Sequence, residues 1–221
     1  MEIYNYILKE NHRVRPGGNY KKTSITIHST ANISSTAINE RKWLDNSSNL
    51  ASASWHYVVD DKMAIQAIPD NEEAWHCANK TGNCYSISIE ICESGDRVKA
   101  IENAAALTAQ KTKQYNLKIS DIKKHFDWSG KICPRILIDK NYIEDDLDWN
   151  YFLKRVKYYM EEKKQPQWKI DAEKYLRDNN IISDSHDPEE IIDMGTLGVI
   201  IKNVIEKYIQ NIKNCFLGLL F

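Results

Sequence analysis

The chain has few cysteines, no excess of either charge and no long apolar run, and each shortage removes a class of protein. Five cysteines among 221 residues are too sparse for a small disulfide-stapled scaffold, and Cys77, Cys84, Cys92, Cys133 and Cys215 show no CxxC spacing. The number is odd, so at least one thiol does something other than bridge; most read as buried thiols acting as small hydrophobes. Thirty Lys and Arg against 31 Asp and Glu leave no basic excess to displace counterions, so a dedicated nucleic-acid binder is excluded. No stretch approaches the roughly 20 apolar residues of a membrane span. The most apolar segment, CFLGLLF at 215–221, is far too short. The first residues, MEIYNYILKENHR, lack the basic start, apolar run and small-residue cleavage site of a signal peptide. These absences predict a chain made in the cytoplasm, soluble and without stable membrane insertion.

The patterns that are present suit an α/β or α+β fold with a mixed sheet. TSITIHS at 23–29 alternates with the period of a half-buried strand. A serine at 34 or 35 is the cap-like start of a short helix reaching Leu44. WHYVV at 55–59 and MAIQAI at 63–68 flank Asp60-Asp61-Lys62, a hairpin signal. SISIEI at 86–91 alternates again, with Glu90 on the side opposite the three isoleucines. An alanine-rich stretch from Ala100 to Tyr115 predicts a helix, and Trp149, Phe152, Leu153, Val156, Tyr159 and Met160 recur at helical spacing.

The chain then changes character. Residues 1–160 read as one domain, and the polar, proline-bearing EEKKQPQ at 161–167 as a linker. Residues 168–221 read as a small helical module, through a stripe of Trp168, Ala172, Tyr175 and Leu176 and a second from Leu197 to Ile212. Residues 166–221 hold six basic and nine acidic side chains against 24 and 22 in the remainder, so an acidic tail follows a slightly basic main part. The helical pair fits homo-oligomerisation as well as it fits binding to a target surface.

Titratable residues collect where the strands end: His28 in ITIHST, His56 in SWHYVVDD, His76 in AWHC and Glu90 in SISIEICES. Downstream, His125, Lys131 and Cys133 crowd into KHFDWSGKICPR. Two histidines and a cysteine would serve zinc, which takes neutral imidazole and thiolate and, in catalytic sites, leaves a position open for water. The separation of His125 from Cys133 is too long for a zinc finger, although a loop with Gly130 and Pro134 could fold back to bring both to one point. The plainer readings stand beside it: His28 as a satisfied strand histidine, Cys133 as a buried thiol, Lys131 as a solvated loop lysine. Glu90 is either the wet side of an antiparallel sheet or a general base on a rigid strand. Trp55, Trp75 and Trp128 are either core or walls of a groove.

Taken together and in this order, the five motifs closely resemble the zinc-dependent N-acetylmuramoyl-L-alanine amidases of the type 2 group, phage endolysins and bacterial autolysins that share a fold with peptidoglycan-recognition proteins. The resemblance runs from about residue 20 to residue 140. It implies a central mixed β-sheet flanked by helices, zinc held by His28, His125 and Cys133, and catalysis by Glu90 and Lys131. It places His56 and His76 among residues lining the site, and Ala78 where many relatives have glycine. It also implies peptidoglycan as substrate, with the lactyl–L-alanine amide as the bond cut after release to the wall, by a holin or by unconventional export. An endolysin and an autolysin both fit. A non-catalytic wall-binding protein of the same fold is the competing reading, but such relatives usually lack the cysteine. A muropeptide-recycling amidase commonly uses aspartate in its place.

Overall fold

The computed structural model describes residues 2–161, 178, 201–206 and 208–209. The first strands are β1 (Glu2–Asn5) and β2 (Ser24–Ser29), followed by helix α1 (Ala37–Asp45). A hairpin of β3 (Tyr57–Val59) and β4 (Met63–Gln66) leads to α2 (Lys80–Tyr85) and β5 (Ser86–Ile91). The chain continues through α3 (Arg97–Gln114), β6 (Ile122–Lys124), α4 (Phe126–Ser129), α5 (Arg135–Ile138) and α6 (Trp149–Met160). The strands form one mixed sheet in the order β1-β4-β3-β5-β2-β6, antiparallel between β3 and β4 and parallel elsewhere. This is the α/β architecture the sequence predicts.

The hairpin turns where expected because Asp60 organises it. One carboxylate oxygen accepts from the backbone N–H groups of Lys62 and Met63, and the other accepts from Ala37 at the start of α1. Alternation along each strand then sends neighbouring side chains to opposite faces of the sheet. Ile25, Ile27, Ile87, Ile89 and Ile91 pack under α3 and α6, against Ala100, Ile101, Ala104, Phe152 and Val156. Small residues on α3 let it lie close to the sheet, and α6 is clamped to it where Tyr151, Arg155 and Tyr159 converge on Glu102. On the other face, Val58 and Ile65 pack with Leu8, Val14, Leu44 and Trp55. That face of β2 and β5 also carries the polar Thr26, His28, Ser88 and Glu90.

Three local expectations need correction. The β2 strand is not half-buried: all six residues are buried, since parallel strands are covered on both faces. Its polar side chains are instead satisfied internally, Thr26 Oγ1 lying 2.6 Å from Ser86 Oγ. The cap of α1 is Thr36 rather than a serine, accepting from Asn39 N–H, so the helix begins at Ala37. Helix α3 begins three residues before Ala100, capped by Asp96.

Contacts divide the chain into two compact units, 1–162 and 163–221. In the second, Asp178, residues 201–206 and residues 208–209 are helical. The rest of the expected linker and helical module, with Cys215, lies outside the described residues. Cys77, Cys84, Cys92 and Cys133 are all free and buried. No helix among the described residues is long and apolar enough to cross a membrane.

Candidate active site

The polar ends of β2 and β5 open into a cleft of about 350 Å³. His28 is the penultimate residue of β2 and is held at 1% exposure. His125 follows β6 directly, its backbone N–H donating to Ile27 O and prolonging the β2–β6 pairing. Gly130 ends α4 with a φ of +75°, in the left-handed region that glycine favours, and turns the chain back. The return is locked by Phe126 N–H donating to Cys133 O and by Arg135 N–H donating to Ser29 Oγ. This fold-back brings Cys133 Sγ to 3.7 Å from His28 Nδ1, while His125 Nδ1 lies 3.1 Å from the same nitrogen.

The donor atoms of His28, His125 and Cys133 all lie within 4.8 Å of one another. Among the described residues this is the one trio of its kind. Two imidazoles and a thiol, buried on the protein side and facing a cleft on the other, fit a divalent cation in an open, catalytic type of site. Burial pushes His28 well below the usual imidazole value, aided by His76, His125 and Lys131, and lowers His125 to about 4. Both rings therefore offer neutral lone pairs at physiological pH. Burial, with Glu90 nearby, pushes the Cys133 thiol up to about 12, so a cation must displace its proton.

Glu90 lies beside this trio, with Oε1 3.9 Å from His28 Nδ1. Burial, reinforced by Glu40 and Glu93 and opposed by Lys131, raises its carboxyl to about 8. Its Oε2 is buried without a hydrogen-bond partner. Lys131 lines the same cleft from the exposed loop before Cys133.

The aromatic expectations divide. Trp55 and Trp75 line the cleft, Trp55 stacked on Trp43 with ring centroids 5.8 Å apart. Trp128 does not line it: its Nε1–H donates to Thr26 Oγ1 and its ring packs against Gly82, where a Cβ would come within 3.0 Å. His76 lines the cleft, but His56 does not. His56 is wholly buried behind it, bonded to Ser88 Oγ and Glu72 O, and lowered to about 3 by burial. Ala78, just past the AWHC motif, has a φ of +54°, which is why glycine suits that position.

Glu40, Trp43 and Arg135 also line the cleft and were not singled out from sequence. Glu40 and Trp43 are three apart on α1, so they share a face. That spacing was the available signal, but it means something only once the helix's neighbour is known. Arg135 grips Glu93 through two nitrogens, and Glu93 in turn accepts from Ala31 N–H, fixing the loop after β2.

The family model described as N-acetylmuramoyl-L-alanine amidase matches residues 19–136. Among curated proteins, the chain is similar to N-acetylmuramoyl-L-alanine amidase CwlA of Bacillus subtilis strain 168, 42% identical over 150 residues, 64% of this chain and 54% of that protein. It is also similar to CwlH of the same organism, 40% identical over 146 residues, covering 63% and 54%. The chain thus spans about half the length of these relatives. Among solved structures, the catalytic domain of XlyA superposes with a TM-score of 0.64 at 33% identity, over 71% of this chain and 99% of that one. A mutant endolysin from Bacillus subtilis gives 0.64 at 36% identity, with the same coverage.

Proposed function

The chain belongs to the N-acetylmuramoyl-L-alanine amidase family, and on that premise we propose that it hydrolyses peptidoglycan in the manner of an endolysin, with zinc as its metal. The bond cut is the amide joining the lactyl group of N-acetylmuramic acid to the L-alanine of the stem peptide. The observation that carries this reading is the meeting of His28, His125 and Cys133 beside Glu90 at the floor of an open cleft.

His28, His125 and Cys133 would hold the zinc, whose Lewis acidity polarises a carbonyl oxygen and acidifies water at neutral pH. Glu90, on rigid β5 beside the metal ligand His28, takes the proton of the attacking water. As the carbon–nitrogen bond breaks, Glu90 returns that proton to the departing nitrogen, leaving a lactyl carboxylic acid and the free amino group of L-alanine. The Lys131 ammonium lies where it can stabilise the negative charge that grows on the carbonyl oxygen. Trp43, Trp55 and Trp75 supply apolar walls against which sugar and peptide can pack, and burial among apolar walls strengthens the charged contacts within.

The presence of Cys133 favours this reading over a wall-binding protein without activity. Digestion of purified cell walls separates them. An amidase releases L-alanine amino termini without new reducing ends; reducing ends would mark a glycosidase, and wall binding with no products would mark the recognition type.

A further inference from the structure

His76 stands at the junction between the metal trio and the cleft, and the amidase mechanism above leaves it without a part. Its Nδ1 is 3.0 Å from His28 Nε2, the nitrogen of His28 that points away from His125 and Cys133. Its own Nε2 is buried and has no hydrogen-bond partner. The Gly82 backbone favours the charged ring slightly, against the burial that disfavours it.

A neutral imidazole has one N–H and one lone pair. If His28 presents its Nδ1 lone pair to a metal, its proton must be on Nε2, and His76 Nδ1 must accept it. The remaining proton of His76 is then on its buried Nε2. Metal-ligating histidines generally direct their second N–H to a carboxylate, a carbonyl or water, and that partner sets ring orientation and basicity. Here the partner is another imidazole.

The surroundings hold His76 in that pose. Asn83 Oδ1 accepts from the backbone N–H groups of both His76 and Cys77, and Asn79 Oδ1 caps α2 behind them. The His56 ring packs edge-on with its centroid 6.3 Å away, while bonded elsewhere to Ser88 and Glu72. These bonds fix the His76 backbone, and the His28 and His56 rings flank its side chain.

We infer that His76 is the positioning residue of the metal centre: its Nδ1 accepts from His28 Nε2–H and so fixes the tautomer and orientation of His28. The inference rests on the proposed function only for the identity of the metal, and otherwise concerns this chain's residues alone.

Two substitutions test it, because the asparagine Oδ1 replaces the Nδ1 acceptor whereas glutamine carries its amide one bond further and loses that acceptor position. His76→Asn should bind zinc within about threefold of the parent. His76→Gln should bind zinc 10- to 100-fold more weakly, measured by competition with a chelator. Nitrogen-15 NMR of the unmutated, zinc-loaded full chain reads the tautomers directly and needs no variant to fold. Protons on Nε2 of both His28 and His76 support the inference, and a proton on His76 Nδ1 overturns it. Equal loss of zinc in both variants, or no loss in His76→Gln, also overturns it. If the unmutated chain cleaves no muramyl peptide, the amidase reading fails, whereas the zinc-affinity and NMR results still decide this inference.

Discussion

His28 and Glu90 sit side by side across the parallel β2–β5 pair, with their Cα atoms in register and His28 Nδ1 3.9 Å from Glu90 Oε1. The proposed metal ligand and the proposed general base are therefore spaced by the sheet itself, the stiffest part of the molecule, rather than by a loop. A site built on rigid elements keeps its geometry while substrate comes and goes.

That proximity makes Glu90 a reporter of the metal. Burial holds the metal-free carboxyl at about 8, so it is largely protonated at pH 7. A divalent cation beside it favours the charged form. Carbon-13 NMR of the glutamate carboxyls should show a midpoint near 8 without metal and below 7 with zinc. An unmoved midpoint would show that the cation does not lie next to Glu90.

Lys131 acts on the same groups, lowering Glu90 and Cys133 as well as His28 and His125. Lys131→Ala should retain zinc and lose turnover by about a hundredfold or more, as when one oxyanion stabiliser is removed. It should also raise the Glu90 midpoint. Turnover within a few-fold of the parent would return Lys131 to the role of a solvated loop residue.

Acid should unfold the metal-free chain readily. His28 and His76 are held well below 6.5, His125 at about 4 and His56 at about 3, chiefly by burial. Between these values and the unfolded value of about 6.5, the unfolded chain binds more protons, so stability falls as pH falls through that window. Glu90, raised to about 8, works in the opposite sense: it favours folding as pH falls from 8 towards its unfolded value near 4.5. Four histidines outweigh one carboxyl, and Tm measured in chelator should drop steadily from pH 6.5 to pH 4. A flat or rising Tm there contradicts the buried neutral histidines.

The Arg135–Glu93 pair fixes the rim. The Glu93 side chain is 1% exposed and Arg135 Nη2 lies 2.6 Å from its Oε2. Arg135→Ala leaves a buried carboxylate with only the Ala31 N–H, and should cost about 2 kcal/mol, allowing for partial exposure of the guanidinium. For a chain of this size, Tm should fall by roughly 4–8 °C. Replacing Glu93 by Gln in the same chain should recover part of the loss, because no charge is then stranded. No recovery would point to lost packing instead.

The central strands and the long helices were legible in the sequence because β2, β5, α3 and α6 have strong periodicity and apolar faces. What escaped was β1 and β6, too short to show a period; β6 is Ile-Lys-Lys, supported only by pairing with β2. Helix α2, KTGNCY, has poor propensity and stands on its Asn79 cap. Within the site, the residues at strand ends were legible as titratable groups out of place in apolar runs. Glu40, Trp43 and Arg135 were not, since only tertiary packing turns their surfaces to the cleft. His56 and Trp128 misled for the converse reason: buried polar partners, Ser88 and Thr26, hold them away from it.

The claim that His28, His125 and Cys133 form a zinc centre served by Glu90 is tested most directly by metal content and turnover in Cys133→Ala and Glu90→Gln. Cys133→Ala should lose zinc and wall hydrolysis together. Glu90→Gln should keep stoichiometric zinc while turnover drops by about 10²–10⁴-fold, the range of a lost general base. Unchanged zinc in Cys133→Ala, or full activity in Glu90→Gln, would contradict the account.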